Sequence, residues 1–118
     1  MFINLSNHPS RLWNQKQREA ALQYGQIVDL SFPSISPYAN GNDIDVLVMQ
    51  YFEMIKQYDH PIVMLQGEFV FTYRLVLKLK ENLITVVASC SERKLKEYVE
   101  SGHTKKVVDF EFVRFREY

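Results

Sequence analysis

The sequence predicts an α/β domain with a Rossmann-like parallel sheet, helices on both faces and a C-terminal β-hairpin. Three observations carry this. Short apolar runs at 2–5, 27–30, 62–65 and 83–88 alternate with longer segments of helical character. The run at 62–65 is of the kind buried on both faces of a parallel sheet. Each apolar run is also followed by polar or Gly/Pro-containing chain, as at Ser6–Ser10 and Gln66-Gly67-Glu68.

The elements follow in order. Phe2–Leu5 is the first strand, and the run Ser6-Asn7-His8-Pro9-Ser10 is the loop that ends it. Pro9 biases His8 toward extended backbone. Trp13, Ala20, Ala21 and Tyr24 recur near helical spacing, so helix one covers about Trp13 to Tyr24, with Asn14 and Gln17 as a cap pair and Gly25 as the stop. Ile27–Leu30 is strand two. Ser31–Asn42 is a long loop, of the kind that often serves function. Asn42 or Asp43 caps a second helix whose stripe is Ile44, Leu47, Val48, Tyr51, Ile55 and Tyr58. Ile62–Leu65 is strand three.

Phe69–Lys80 carries two signals. Phe69, Phe71, Tyr73, Leu75, Leu77 and Leu79 alternate as in a strand, while Phe69, Tyr73, Val76 and Lys80 fit a helix. The helix is favoured, because parallel strands need a crossover and no other segment supplies one; the strand stays as the alternative. Leu83–Ala88 is strand four, with Ser89–Lys94 as the loop after it. Leu95–Val99 and Lys106–Phe115 form the arms of the hairpin, turning at Ser101-Gly102-His103. The order βαβαβαβ plus a hairpin makes one domain, 1–118.

Composition excludes several classes. Apolar residues are 47% and aromatic residues 14% of 118, enough for a core and unlike a disordered chain. The 14 basic and 14 acidic residues balance, so no global field draws the protein to long nucleic acid or an anionic membrane. No apolar run reaches the ~20 residues of a membrane span, and Asn4, Asn7 and His8 interrupt the start as a signal peptide would not; the expected location is the cytoplasm. Cys90 has no second thiol for a disulfide, and the His, Cys, Asp and Glu residues lack metal-ligand spacing; no metal and no cofactor is expected. Neither GxGxxG nor GxxxxGK[ST] occurs. So small a chain gains buried surface by pairing, and a homodimer is expected.

Ligands of open α/β sheets sit beyond the carboxyl ends of the strands. Three polar segments end there: Ser6–Ser10, Gln66-Gly67-Glu68 and Ser89-Cys90-Ser91-Glu92-Arg93-Lys94. They offer hydroxyls, an imidazole, backbone N–H groups and two cations, an inventory suited to a phosphate-bearing ligand. The expected ligand-binding residues are Ser6, Asn7, Ser10, Gln66, Gly67, Glu68, Ser89 and Ser91, with His8, Arg93 and Lys94 as the catalytic group. Structural roles compete for each. Ser6–Ser10 also reads as a cap and turn, Glu68 as a favourable charge at a helix start, and Arg93 and Lys94 as solvated charges. Cys90 has no evident base to activate it.

The opening Ile3-Asn4-Leu5-Ser6-Asn7-His8-Pro9-Ser10, with Gln15 and Gln17 on the helix after it, resembles the start of small stand-alone CRISPR-associated Rossmann-fold (CARF-like) proteins of the ring nuclease group. The run Ser91-Glu92-Arg93-Lys94 and the terminal hairpin are also similar to that group. The resemblance implies a cyclic oligoadenylate ligand, cyclic tetra-adenylate above all, bound across a homodimer. It further implies metal-independent cleavage by attack of a ribose 2′-OH on the neighbouring phosphate, which switches off type III CRISPR signalling. In that reading Arg93 and Lys94 hold the phosphate, Ser6, Asn7 or Ser91 orients the ribose, and His8 protonates the leaving oxygen. The alternatives are a non-catalytic module that binds protein or nucleotide, and a transferase or hydrolase using Cys90 or Glu68.

Overall fold

The computed structural model describes residues 1–118. The elements run β1 (Phe2–Ser6), a 3-10 turn (Ser10–Leu12), α1 (Gln15–Leu22), β2 (Ile27–Asp29), α2 (Gly41–Ile55), β3 (Ile62–Gln66), α3 (Phe69–Glu81), β4 (Thr85–Glu100) and β5 (His103–Glu117). One five-stranded sheet has the order β2-β1-β3-β4-β5. The first four strands are parallel, and β5 is antiparallel to β4. The order reverses direction between β1 and β3, where chain leaving each strand departs to opposite sides.

Both sheet faces are buried, and by different helices. Ile3, Leu5, Val63, Leu65 and Val86 point to the face covered by α2 and α3, which contribute Ile44, Val48, Phe52, Ile55, Phe71, Leu75, Val76 and Leu79. Phe2, Met64 and Val87 point to the other, against Trp13, Ala21 and Phe115. Phe2 is the hub there, with Phe115 at 4.9 Å and Trp13 edge-on at 6.2 Å between ring centroids. Two helices cover one face and the eight-residue α1 covers part of the other, so the α1 face stays open toward the carboxyl ends of β1, β3 and β4.

Helix boundaries follow their caps. Asn14 accepts from the Gln17 N–H at 2.9 Å and starts α1 one residue later, leaving Trp13 outside the helix as a core anchor. Helix α2 begins earlier than its apolar stripe suggests. Asn40, and neither Asn42 nor Asp43, is the cap: its side chain accepts from the Asp43 N–H and the Asp43 carboxylate accepts from the Asn40 N–H, both at 3.0 Å. Helix α2 ends at Ile55, before Tyr58. Phe69–Glu81 is helical, as the crossover requires; Phe71, Leu75 and Leu79 point into the core while Phe69, Tyr73 and Leu77 are exposed.

The large departure is at 89–94. This segment is no loop: β4 continues without a break to Glu100 and pairs with β5 out to Glu100↔His103, with one bulge at Cys90/Ser91. The hairpin is therefore much longer than Leu95–Phe115. Ser101 and Gly102, with φ of 52° and 76°, make a two-residue turn, as a type I′ geometry demands. Beyond Ser91 the ribbon has no third strand and no helix against it, and it projects as an arm. The molecule measures 55 × 37 × 21 Å with a radius of gyration of 16.9 Å. A compact chain of this length has about 13–14 Å.

No helix is long and apolar enough to cross a membrane.

Candidate functional site at the strand-order reversal

A cavity of about 920 Å³ opens on the α1 face at the carboxyl ends of β1 and β3, the place where α/β sheets bind ligands. Its floor is Met64 and the ends of β1 and β3. One wall is the turn into α1, with Trp13, Asn14, Lys16 and Gln17. The other is the root of the arm, with Ser89, Ser91, Phe110 and Phe112.

The structure brings together Ser6, Asn7, His8, Gln66, Gly67, Ser89 and Ser91 around this cleft. A network beneath it fixes the first loop. Asn4 is 2% exposed and its side chain is fully engaged. Asn4 Nδ2 donates to the His8 carbonyl and to Asp29 Oδ1, both at 2.9 Å, and Asn4 Oδ1 accepts from Ser6 Oγ at 2.7 Å. Asp29, at the end of β2, also accepts from Ser10 Oγ at 3.0 Å and faces the Ser10 N–H at 3.3 Å. Ser6 thus lines the cleft, while Ser10 ties the loop to β2 on the far side. His8 is exposed, so its imidazole is presented by a backbone that is held at both ends.

Gln66 and Glu68 have structural engagements. Gln66 Oε1 accepts from the Ser89 N–H at 2.8 Å, so its amide continues the β3–β4 pairing beyond Met64↔Val87, where the ladder ends. Glu68 caps α3, accepting from the Phe71 N–H at 2.6 Å, and its carboxylate is aimed at a helix start rather than at the cleft. Gly67 sits under the Phe32 ring, which fills the space a Cβ would take, and lines the cleft's edge.

Arg93 and Lys94 do not line the cleft. Their expected position at a strand end disappears because β4 runs on through them. Lys94 Nζ lies 3.0 Å from Glu111 and Lys96 Nζ 3.0 Å from Asp109. The hydrogen bond to Glu111 holds the Lys94 ammonium above its ordinary range, and the one to Asp109 does the same for Lys96. The same lysines hold Asp109 and Glu111 below theirs. Lys94 is thereby committed within the arm. Cys90 opposes Arg114 at the bulge and does not line the cleft.

The cation of the cleft is Lys16, on the first turn of α1. Sequence reasoning passed over it, as it did the aromatic wall of Trp13, Phe110 and Phe112. Its place is the first turn of the helix that follows the first polar loop. Phe110, 65% exposed, presents a ring at the rim, whereas Phe112 is buried. Trp13 Nε1 is buried without a hydrogen-bond partner in the protein. No group of three or more His, Cys, Asp or Glu side chains is placed to hold a metal ion. The cleft offers two hydroxyl-bearing strand ends, an imidazole, one ammonium, the Gly67 backbone and an exposed aromatic ring, and Asp109 and Glu111 also stand in its lining, each ion-paired to a lysine of the arm.

The family model described as Uncharacterized protein MJ1673 family matches residues 1–116. The chain belongs to the MJ1673 family. The match takes in every element of the MJ1673 fold, from β1 to the arm. No curated protein and no solved structure matches it.

Proposed function

We propose that the cleft of this MJ1673-family chain binds a cyclic oligoadenylate, cyclic tetra-adenylate foremost, and cleaves it without metal. The supporting observation is the convergence of Ser6-Asn7-His8, Gln66-Gly67 and Ser89/Ser91 with Lys16 and Phe110 around one open cleft at the strand-order reversal. Each part suits a nucleotide. An ammonium attracts phosphate. An exposed aromatic ring gives a base something to stack on, worth about 1–3 kcal/mol per base. Hydroxyls on a rigid strand end orient a ribose.

The reaction consistent with this inventory is internal transfer. A ribose 2′-OH attacks its own 3′-phosphate, the bond to the next 5′-oxygen breaks, and a 2′,3′-cyclic phosphate forms. The 2′-OH gives up its proton to solvent as it attacks, and the leaving oxygen takes one, for which His8 is the donor within the cleft. Lys16 takes the charge-holding role that the sequence suggested for Arg93 and Lys94. The remaining barrier is lowered by holding the hydroxyl in line with the phosphate, which is positioning rather than strong acid–base chemistry.

The cleft presents one ammonium, from Lys16, and one exposed aromatic ring, from Phe110, whereas a ring of four nucleotides carries four phosphates and four bases. One chain therefore holds part of the ring, and two chains hold it whole. The protein acts as a homodimer that removes a second messenger and so ends type III CRISPR signalling, without a cofactor and outside any membrane.

The experiment is incubation with cyclic oligoadenylates of several sizes in EDTA, with products resolved by chromatography. Linear products ending in 2′,3′-cyclic phosphate support the proposal. Binding without products favours a sensor or sequestering role. Neither binding nor cleavage overturns the ligand assignment.

A further inference from the structure

A second cavity, of about 240 Å³, lies across the end of β1 from the cleft. Ser6 and Asn7 stand in both linings, so that strand end divides the two spaces. The far walls are Asp29, at the end of β2, and Leu30, Ser31 and Phe32 on the chain that leaves it. The Phe32 ring is fixed there, packed over Gly67 and edge-on against Phe71.

The two spaces differ in charge. Lys16 lines the cleft, whereas Asp29 lines the second cavity. Every partner of the Asp29 carboxylate is neutral: Asn4 Nδ2, the Ser10 N–H and Ser10 Oγ. A carboxylate accepts about four hydrogen bonds, so one acceptor site is left for a donor in the cavity. An uncompensated carboxylate turns phosphate away, which leaves this space to the neutral part of a nucleotide. Leu30 and Phe32 add apolar surface, which suits a flat ring better than a sugar.

We infer that this second cavity is a base subsite, serving a nucleotide whose phosphate lies in the cleft, and that it selects adenine. The inference rests on the proposed function for the ligand being a nucleotide; it adds where a base goes and how it is read. The side-chain amide of Asn7 matches the amino group and ring nitrogen of adenine, a donor and an acceptor on each side. Asp29 takes the second amino hydrogen on its one free acceptor site. Guanine carries a carbonyl oxygen where adenine carries the amino group, and that oxygen meets the carboxylate. The N1–H and amino group of guanine ask for two adjacent acceptors, and Asp29 has one to give. Uracil likewise turns a carbonyl oxygen to Asp29. Phe110, in the far wall of the cleft, is left to stack the neighbouring base.

Amide chemical-shift titration of the full ¹⁵N-labelled chain with adenosine, guanosine and uridine tests this, beside cyclic tetra-adenylate in EDTA. Adenosine at millimolar concentration is expected to shift Asp29–Phe32 saturably, and guanosine and uridine to bind at least tenfold more weakly. Asn7 is exposed, so Asn7→Ala should keep the native circular dichroism. It is expected to weaken adenosine about tenfold, as loss of a bidentate contact does, and to narrow its lead over guanosine. Guanosine bound as tightly as adenosine overturns the selection of adenine. Cyclic tetra-adenylate that shifts Lys16 and Phe110 but leaves residues 29–32 unmoved overturns the subsite and leaves the proposed function in place. Adenosine that shifts residues 29–32 when the cyclic ligand shifts nothing supports the subsite and overturns the cyclic ligand. No shift from any of them overturns both.

Discussion

Gly67 lies directly beneath the Phe32 ring: a Cβ built on Gly67 would come within 2.1 Å of Phe32 Cζ. The ring in turn meets Phe71 edge-on at 5.4 Å, so the chain after β2 is clamped over the β3–α3 turn at the edge of the cleft. Gly67→Ala must displace Phe32. The expected cost is that of overpacking, about 1–3 kcal/mol in chemical denaturation. Adding Phe32→Ala should make the Gly67→Ala change nearly harmless. A Gly67→Ala protein as stable as wild type would show that the clamp yields freely.

Asp29 is the second fixed point. It gathers Asn4 Nδ2, Ser10 Oγ and the Ser10 N–H, and through Asn4 it holds the backbone that carries His8. Asp29→Ala leaves the buried Asn4 amide short of an acceptor and is expected to cost about 1–3 kcal/mol. Amide hydrogen exchange should accelerate at residues 6–10 and leave α2 and α3 unchanged. Equal acceleration throughout would mean the network supports the whole fold rather than this loop.

His8 separates binding from chemistry. Its side chain is exposed and makes no hydrogen bond that the fold needs, so His8→Ala should fold normally. Removing a positioned acid typically lowers the rate about 10²- to 10⁴-fold. Ring affinity should change by no more than a few fold. A variant that cleaves as fast as wild type would give the proton to water or to another group.

The arm responds to acid in a defined direction. Asp109 and Glu111 have folded-state pKa values held below the ordinary carboxylate range by Lys96 and Lys94. The pairing they contribute is present above that ordinary range and is lost as pH falls through their lowered values. These groups are solvent-exposed, so the effect is local fraying and salt screens it. Exchange rates corrected for intrinsic chemistry, measured from pH 6 down to 3, should show loss of protection in 91–112 before β1 and β3. Simultaneous loss everywhere would contradict it.

What the sequence made legible was the part of the fold with a buried side. β1, β3 and α2 each have one, and their apolar spacing marked them. The choice of helix at 69–80 came from topology, since the crossover settled what periodicity left double. The arm was misread for a physical reason. Past Ser91 neither face of β4 is covered, so Ser-Glu-Arg-Lys has no burial to impose a two-residue period and reads as a loop. That error displaced Arg93 and Lys94 from the site and hid Phe110 at its rim. Lys16 was overlooked because nothing in its neighbours distinguishes a cleft-facing lysine from a solvated one.

The most direct test of the cleft is to map cyclic tetra-adenylate onto the ¹⁵N-labelled protein by amide chemical-shift perturbation, in EDTA. The account expects saturable shifts clustered at Ser6–His8, Lys16, Gly67, Ser89–Ser91 and Phe110, with the exposed residues of α2 and α3 unmoved. Lys16→Ala should weaken the binding about tenfold or more, as loss of a charge-assisted contact does. No shifts at millimolar ligand, or shifts confined to the α2–α3 face, would contradict it.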